Sequence, residues 1–201
     1  MKHELLVSGA TGNIGRYLTR RLVEEGFSVK AASRNGTSPV VGASGVVLDL
    51  ADAATFPFAL ENVTSAYVFV PVGHEDAVGF MKPFLQELVC REIKIVFLAG
   101  MGVEAYNESP QRDIEDWLKS SGGRFVILRP NWFMDNFHTF WYQSVVNDGL
   151  VTVPAADHKI SFVDVRDIAD VAARVLISDK WNSQTLVLTG PEAFFIARRP
   201  G

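Results

Sequence analysis

The strongest chemical signal near the start of the chain is Gly9-Ala10-Thr11-Gly12-Asn13-Ile14-Gly15. Glycines at i, i+3 and i+6 clear side chains from the backbone, so peptide N–H groups can come up against a diphosphate. The loop lies between an apolar run, Leu5-Leu6-Val7, and an amphipathic segment, so a helix N-terminus would face the same anion. Glycine spacing alone is weak, because tight turns between packed elements need glycine too; the flanking strand and helix are what point to a dinucleotide. About 20 residues beyond such a loop, a site selective for NAD carries an acid for the ribose hydroxyl. Here the residues are Ala31-Ala32-Ser33-Arg34-Asn35, with no acid. Arg34 offers a fork of donors for a 2′-phosphate and a flat face for adenine, so NADP is expected ahead of NAD. The competing role for Arg34 is a solvated loop charge.

These residues need a frame. Ile14, Leu18 and Leu22 fall at i, i+4 and i+8, with Arg16, Arg20, Arg21, Glu24 and Glu25 on the other face, so a helix follows the loop and Gly26 ends it. Strands are expected at Ser28–Ser33, Gly45–Leu48, Thr64–Val70, Ile93–Ala99 and Phe125–Leu128, with helices over 75–90 and 109–121. Near-continuous apolar strands alternating with amphipathic helices predict a parallel sheet covered on both faces, the Rossmann-type doubly wound α/β architecture. After Arg129 the texture changes: Trp132, Phe133, Phe137, Phe140, Trp141 and Tyr142 crowd residues 131–147. Short strands near Val151–Val153 and Ile160–Val163, a helix over 164–177 and a strand at Thr185–Leu188 complete the order. No repeat or linker interrupts it, so residues 1–201 read as one dinucleotide-binding domain, with 131–163 and 178–201 forming a small, incomplete substrate-side region.

Composition excludes several classes. The 201 residues are 48% hydrophobic and 21% charged with a net charge of −4, ordinary for a globular chain. No run of Lys or Arg could neutralise successive phosphates, so nucleic acid is not an expected partner. No apolar stretch approaches the roughly 18–20 residues of a spanning helix, so no membrane partner is expected. The amino end carries too short an apolar run for a signal peptide, and the lone Cys90 allows no internal disulfide, so a cytoplasmic, reducing location is expected. The oligomeric state is left open.

The glycine loop with Thr11 and Asn13 resembles the short-chain dehydrogenase superfamily in its extended and atypical branches. With Arg34, Val70-Pro71 and Leu128-Arg129-Pro130-Asn131-Trp132-Phe133-Met134-Asp135-Asn136-Phe137 added, the chain resembles the NmrA-like family. Its nearest look is to the group with ergot-alkaloid, agroclavine-type dehydrogenases, and the quinone reductase and triphenylmethane dye reductase branches are similar. Phe162 to Ala169 and Leu188 to Glu192 match the family pattern as well. The resemblance implies that Gly9, Thr11, Gly12, Asn13, Ile14 and Gly15 hold the pyrophosphate, Ser33 and Arg34 the adenosine phosphate, and Asp49 and Leu50 the adenine. It further implies that Val70 and Pro71 flank the ribose and pyrophosphate, while Pro130, Asn131 and Trp132 approach the nicotinamide. From the residues alone, Asp49 could equally cap a helix over 52–59, and the aromatics after Arg129 could be core packing.

Two departures follow. The superfamily's Tyr-x-x-x-Lys pair is absent: Tyr17, Tyr67, Tyr106 and Tyr142 are followed four residues on by Arg21, Pro71, Pro110 and Val146. Reducing a simple ketone builds an alkoxide that needs a positioned proton donor, whereas a quinone, iminium ion or cationic dye accepts hydride with less help. The resemblance therefore implies an NADPH-dependent oxidoreductase for a small electrophilic substrate, or, alternatively, a non-catalytic protein that binds dinucleotide and reports its redox state. The second departure is the end, Phe194 to Gly201, which lacks the helical period expected of the family there. No catalytic residue stands out. His3, His74, His138 and His158 have no ligand spacing, so no metal is expected, and His74 is read as a loop residue. Asp164 is expected to cap the last helix, Asp167 and Asp170 to face solvent, and Cys90 to be buried filler.

Overall fold

A computed structural model describes residues 4–71, 76–105, 109–149, 151 and 158–195. Strands β1 (Glu4–Ser8), β2 (Ser28–Ser33), β3 (Ser44–Val47), β4 (Val63–Phe69), β5 (Lys94–Leu98), β6 (Phe125–Pro130) and β8 (Gln184–Leu188) form one sheet, all parallel. Their order is β3-β2-β1-β4-β5-β6-β8. Helices α1 (Asn13–Glu24), α2 (Phe56–Ala59), α3 (Ala77–Cys90), α4 (Pro110–Ser120), α5 (Tyr142–Asp148) and α6 (Val165–Ile177) join them. Two short strands, β7 (Lys159–Ile160) and β9 (Phe194–Phe195), pair antiparallel outside the main sheet.

The apolar runs explain the two-sided burial. Leu6, Val68, Phe97 and Ile127 face a core closed by α2, α3 and α4, with Phe84, Leu88 and Ile114 among its helical members. Val7, Tyr67, Val96 and Leu128 face the opposite core, closed by α1 and α6 through Leu18, Leu22, Ile168 and Ala172. Successive strand residues thus alternate between two buried layers, as a parallel sheet between helices requires. Among the described residues no helix is long and apolar enough to cross a membrane.

The sheet order decides where a ligand can sit. From β1 the chain winds outward through β2 to β3, then returns to β4 on the other side of β1. Such a reversal leaves a crevice beyond the carboxyl ends of β1 and β4, because the connections leave in opposite directions. The glycine loop is the turn that leaves β1 at this point.

Several expectations change in detail. Cys90, expected as buried filler, is exposed at the end of α3, because it falls off the stripe of Met81, Leu85 and Leu88 that faces the sheet. The strand expected over Ile160–Val163 is only Lys159–Ile160, with Val163 instead bridging Phe133. The carboxyl-terminal residues, read as lacking a helical period, supply β9. The turn after β3 is capped by Asp52, which accepts from Ala54 N, and not by Asp49. His3, His74, Tyr106, the strand expected from Val151 to Val153 beyond its first residue, and the tail from Ile196 lie outside the described residues.

Candidate nucleotide-binding site

The glycine loop is shaped by what it must pass. Gly9 has φ of +58°, a left-handed conformation that favours glycine, and a Cβ there would strike the Phe69 ring. A Cβ on Gly15 would collide with the Gly9 carbonyl, so the first turn of α1 lies directly against the loop. Gly12 N donates to Gly9 O at 2.8 Å, and Ala10 N to Ala32 O at 3.3 Å, which ties the loop to β2. Helix α1 begins after Gly12 with no side-chain cap and no acid in its first turn. Its amino end therefore keeps its partial positive charge and free N–H groups, the arrangement that favours an anion.

Beside this end runs a cleft of about 590 Å³. Its floor and walls come from four strand ends and the turns that leave them: Ser8, Gly9, Thr11 and Gly12 at β1; Ala32, Ser33 and Arg34 at β2; Leu48, Asp49, Leu50 and Ala51 at β3; Val68, Phe69 and Pro71 at β4. Phe80, Met81 and Phe84 of α3 close the apolar side. The structure thus brings together eight residues singled out from the sequence: Gly9, Thr11, Gly12, Ser33, Arg34, Asp49, Leu50 and Pro71. Asn13, Ile14 and Gly15 are on the first turn of α1 behind the lining, with Ile14 and Gly15 buried. Val70 packs partly against the core under α3, and Pro130, Asn131 and Trp132 are at the end of β6, outside the lining of this cleft. The α3 residues were missed because their spacing says only that a helix has an apolar stripe; the fold decides that the stripe reaches a ligand cleft.

Charge in the cleft is uneven. Arg34 is exposed and makes no hydrogen bond or ion pair among the described residues. Asp49 Oδ1 accepts from Ala51 N at 3.0 Å, beside the apolar wall of Leu48, Leu50 and Phe84.

A second region stands at the end of β6. Arg129 forms a fork with Glu115 of α4, Nε to Oε1 at 2.9 Å and Nη2 to Oε2 at 2.6 Å, and reaches Glu104 at 3.0 Å. Glu115 is wholly buried, and its hydrogen bonds hold the Arg129 guanidinium protonated more firmly than usual. Met101 N donates to Pro130 O at 2.9 Å, so the turn after β5 is laid against the same strand end. Asn131 donates from Nδ2 to Ser161 Oγ and accepts Trp132 N on Oδ1, at 3.1 and 2.9 Å. Trp132 then stacks on Trp141 at 5.2 Å between ring centroids, with Phe137 and Phe162 against Trp141. Core packing accounts for Trp141 and Phe162, but Trp132, Phe140 and Tyr142 are exposed, and no residue of the short α5 is buried.

The acids of α6 divide by role. Asp164 caps the helix through Arg166 N, and its ion pair with the Arg166 side chain holds its carboxyl below the usual carboxylate range. Asp170 faces solvent and reaches Arg21 of α1 at 3.4 Å. Of the tyrosines, Tyr67 is buried in the core, where desolvation pushes its phenol far up; Tyr142 is exposed on α5.

A glycine-rich β1-loop-α1 turn at the reversal point of a parallel sheet defines a protein of the Rossmann-type NAD(P)-binding class. Within that class, the NmrA-like family matches residues 1–193, and the chain belongs to that family. It is 31% identical over 204 residues to the uncharacterized oxidoreductase YesF of Bacillus subtilis, covering 98% of this chain and 68% of that protein. It is 30% identical over 200 residues to the NAD(P)H azoreductase of Xenophilus azovorans, covering 94% and 68%. The chain thus spans about two thirds of the length of these relatives. Among solved structures, the NADPH complex of the Escherichia coli NADPH-dependent quinone oxidoreductase has a TM-score of 0.83 at 20% identity, covering 95% of this chain and 71% of that one. The NADP(H) complex of Citrobacter triphenylmethane reductase has 0.81 at 15%, covering 96% and 72%.

Proposed function

We propose that this protein binds NADPH in the cleft and serves as an oxidoreductase for a small electrophilic acceptor, a quinone, an iminium ion or a compound like them. The observation that carries the reading is the pairing of an uncapped, acid-free α1 terminus behind Gly9–Gly15 with the unpartnered Arg34 across the same cleft. The residues fit the cofactor. A Cβ at Gly9 would meet the Phe69 ring and one at Gly15 the Gly9 carbonyl, so these glycines keep the loop on the tight course that a diphosphate would lie against. Arg34 suits a 2′-phosphate, with Ser33 beside it, and Leu50 and the apolar wall suit adenine. Asn13 and Ile14 belong to the helix end that faces the pyrophosphate.

When bound, NADPH supplies a hydride. The chain's part is to orient and to exclude water. Pro130, Asn131 and Trp132, held by the Arg129–Glu115 fork, form the acceptor side, with residues 131–163 and 178–201 as the substrate region. No tyrosine has a lysine four residues on, so no paired proton donor serves an alkoxide. That favours acceptors whose reduced form spreads or cancels charge. The family relatives named as an azoreductase and an oxidoreductase support this chemistry.

The test is a titration of the purified protein with NADPH and NADH by calorimetry, followed by acceptor assays with a quinone, an iminium ion and a cationic dye. Arg34→Ala is expected to weaken NADPH by about 2 kcal/mol, roughly 30-fold, and to leave NADH unchanged. Binding without turnover of any acceptor would move the protein to the class of dinucleotide sensors. Failure to bind either nucleotide would overturn the reading.

A further inference from the structure

The sheet has two outer edges, and they are finished differently. At β3 the edge is four residues long, and residues 36–38 pack directly on Gly45, where a Cβ would meet Gly36 O. At β8 the edge is Gln184–Leu188, which carries no charge and no proline and runs beside β6 without a bulge. Such a strand is a template for pairing, which charges, prolines and bulges ordinarily block.

The register identifies the open groups. Asn131 N donates to Leu188 O, and alternate residues of a parallel strand bond to the same neighbour, so Gln184, Leu186 and Leu188 serve β6. Thr185 and Val187 therefore turn their N–H and C=O groups outward, where no described residue takes them. The side chains leave the edge equally bare. Val187 is 55% exposed. Leu186 and Leu188 are only partly covered, beside a groove of about 620 Å³ that Val171, Val175 and Trp181 also line.

Charge selects the occupant. Lys180 stands before β8 and Glu192 after it, both exposed and without an ion pair among the described residues. Asp179, next to Lys180, is already engaged by Lys94 and Arg124. An antiparallel copy of this strand sets the cationic end of one chain beside the anionic end of the other, whereas a parallel copy sets like against like. A two-fold axis at Leu186 also matches the open backbone, because it places Thr185 opposite the partner's Val187. Residues so opposed exchange both N–H···O bonds in an antiparallel ladder.

We infer that β8 is an interface between two copies of this chain, paired antiparallel about a two-fold axis at Leu186, so that the sheet continues from one subunit into the other. The contact is isologous, with the same strand on both sides. Leu186 meets its own copy on the face toward α6, and Thr185 meets the partner's Val187 on the other face, a β-branched pair that suits a sheet.

Sedimentation equilibrium of the purified full chain tests this. The wild type should be a dimer at about 100 μM. Val187→Lys puts a charge on the edge at an exposed position, and should raise the dimer dissociation constant at least about tenfold while unfolding stays cooperative. Thr185→Pro removes an outward N–H without touching the β6 ladder, and is the second variant should the first not fold. Lys180→Glu should weaken association, and adding Glu192→Lys should restore it, a rescue that the antiparallel register requires. Val41→Lys, on the exposed turn before β3, should leave the dimer intact. A wild type that is monomeric at that concentration, a dimer that survives both edge variants, or a charge exchange that restores nothing would each overturn the interface. The inference stands apart from the reading of the cleft, which lies at β1 to β4.

Discussion

The two ends of the sheet's carboxyl edge are built by opposite means. At β1 to β4 the cleft sets the glycine loop, where Gly9 and Gly15 are there for what they lack, against an apolar wall, and the polar groups left over, the α1 terminus and Arg34, are unpaired among the described residues. At β6 the surface is large side chains that satisfy one another, the Arg129–Glu115–Glu104 ion pairs and the Trp132–Trp141 stack. On the proposed reading, the β1-to-β4 end receives a charged ligand at donors left unpaired among the described residues. The other is organised internally and presents an aromatic face. A dinucleotide of fixed shape suits the first, and a site that must differ between acceptors suits the second.

That contrast can be broken from either side. Glu115→Ala should have the largest effect, about 3 kcal/mol lost in urea denaturation, because it leaves the mostly buried Arg129 without its main partner. NADPH affinity of the folded fraction should hardly change, since the cleft does not rest on this pair; a parallel loss of affinity would show that the two ends are coupled. Gly15→Ala should reverse the pattern. Its Cβ runs into the Gly9 carbonyl, so the loop must shift, at about 2 kcal/mol of stability and more than tenfold in NADPH affinity by calorimetry. Retained affinity would mean that the loop does not hold the diphosphate.

Smaller effects sharpen the comparison. Trp132→Ala removes one stacked partner and should cost about 1 kcal/mol in denaturation and raise the KM for an aromatic acceptor by more than it weakens NADPH. The smallest effect concerns acid. Asp164 has its carboxyl held below the usual carboxylate range, chiefly by hydrogen bonding to Arg166. A depressed carboxylate stabilises the fold above the unfolded-state value and loses that contribution as pH falls through the folded one. Asp164→Asn keeps the helix cap without the charge, so its melting temperature should drop less between pH 7 and pH 3 than that of the wild type. Equal drops would show that the ion pair is idle.

Legibility in the sequence followed the range of the interactions. Helices α1 and α6 were readable because Ile14, Leu18 and Leu22, or Ile168, Ala172 and Val175, repeat at helical spacing whatever the partner. The first half of the cleft was readable because glycines at a strand-to-helix turn are a local constraint. Phe80, Met81 and Phe84 were not, since any buried helix carries such a stripe. Cys90 was misjudged for the related reason that a helix end can place a residue off the stripe. For Trp132 and Phe140 the sequence left pocket lining and core packing both open, because whether an aromatic side chain is covered depends on neighbours that no local pattern names.

The sequence by itself determined the alternation of strands and helices, the glycine turn after β1 and the absence of an acid after β2, because each is a matter of local sterics, period or residue type. Only the tertiary structure decided that β1 lies between β2 and β4, so that four strand ends and one face of α3 enclose a single cleft. It also decided that Glu115 is buried under Arg129. Those are outcomes of which distant groups meet, and hydrogen bonds and burial act only between groups that the whole fold has brought together.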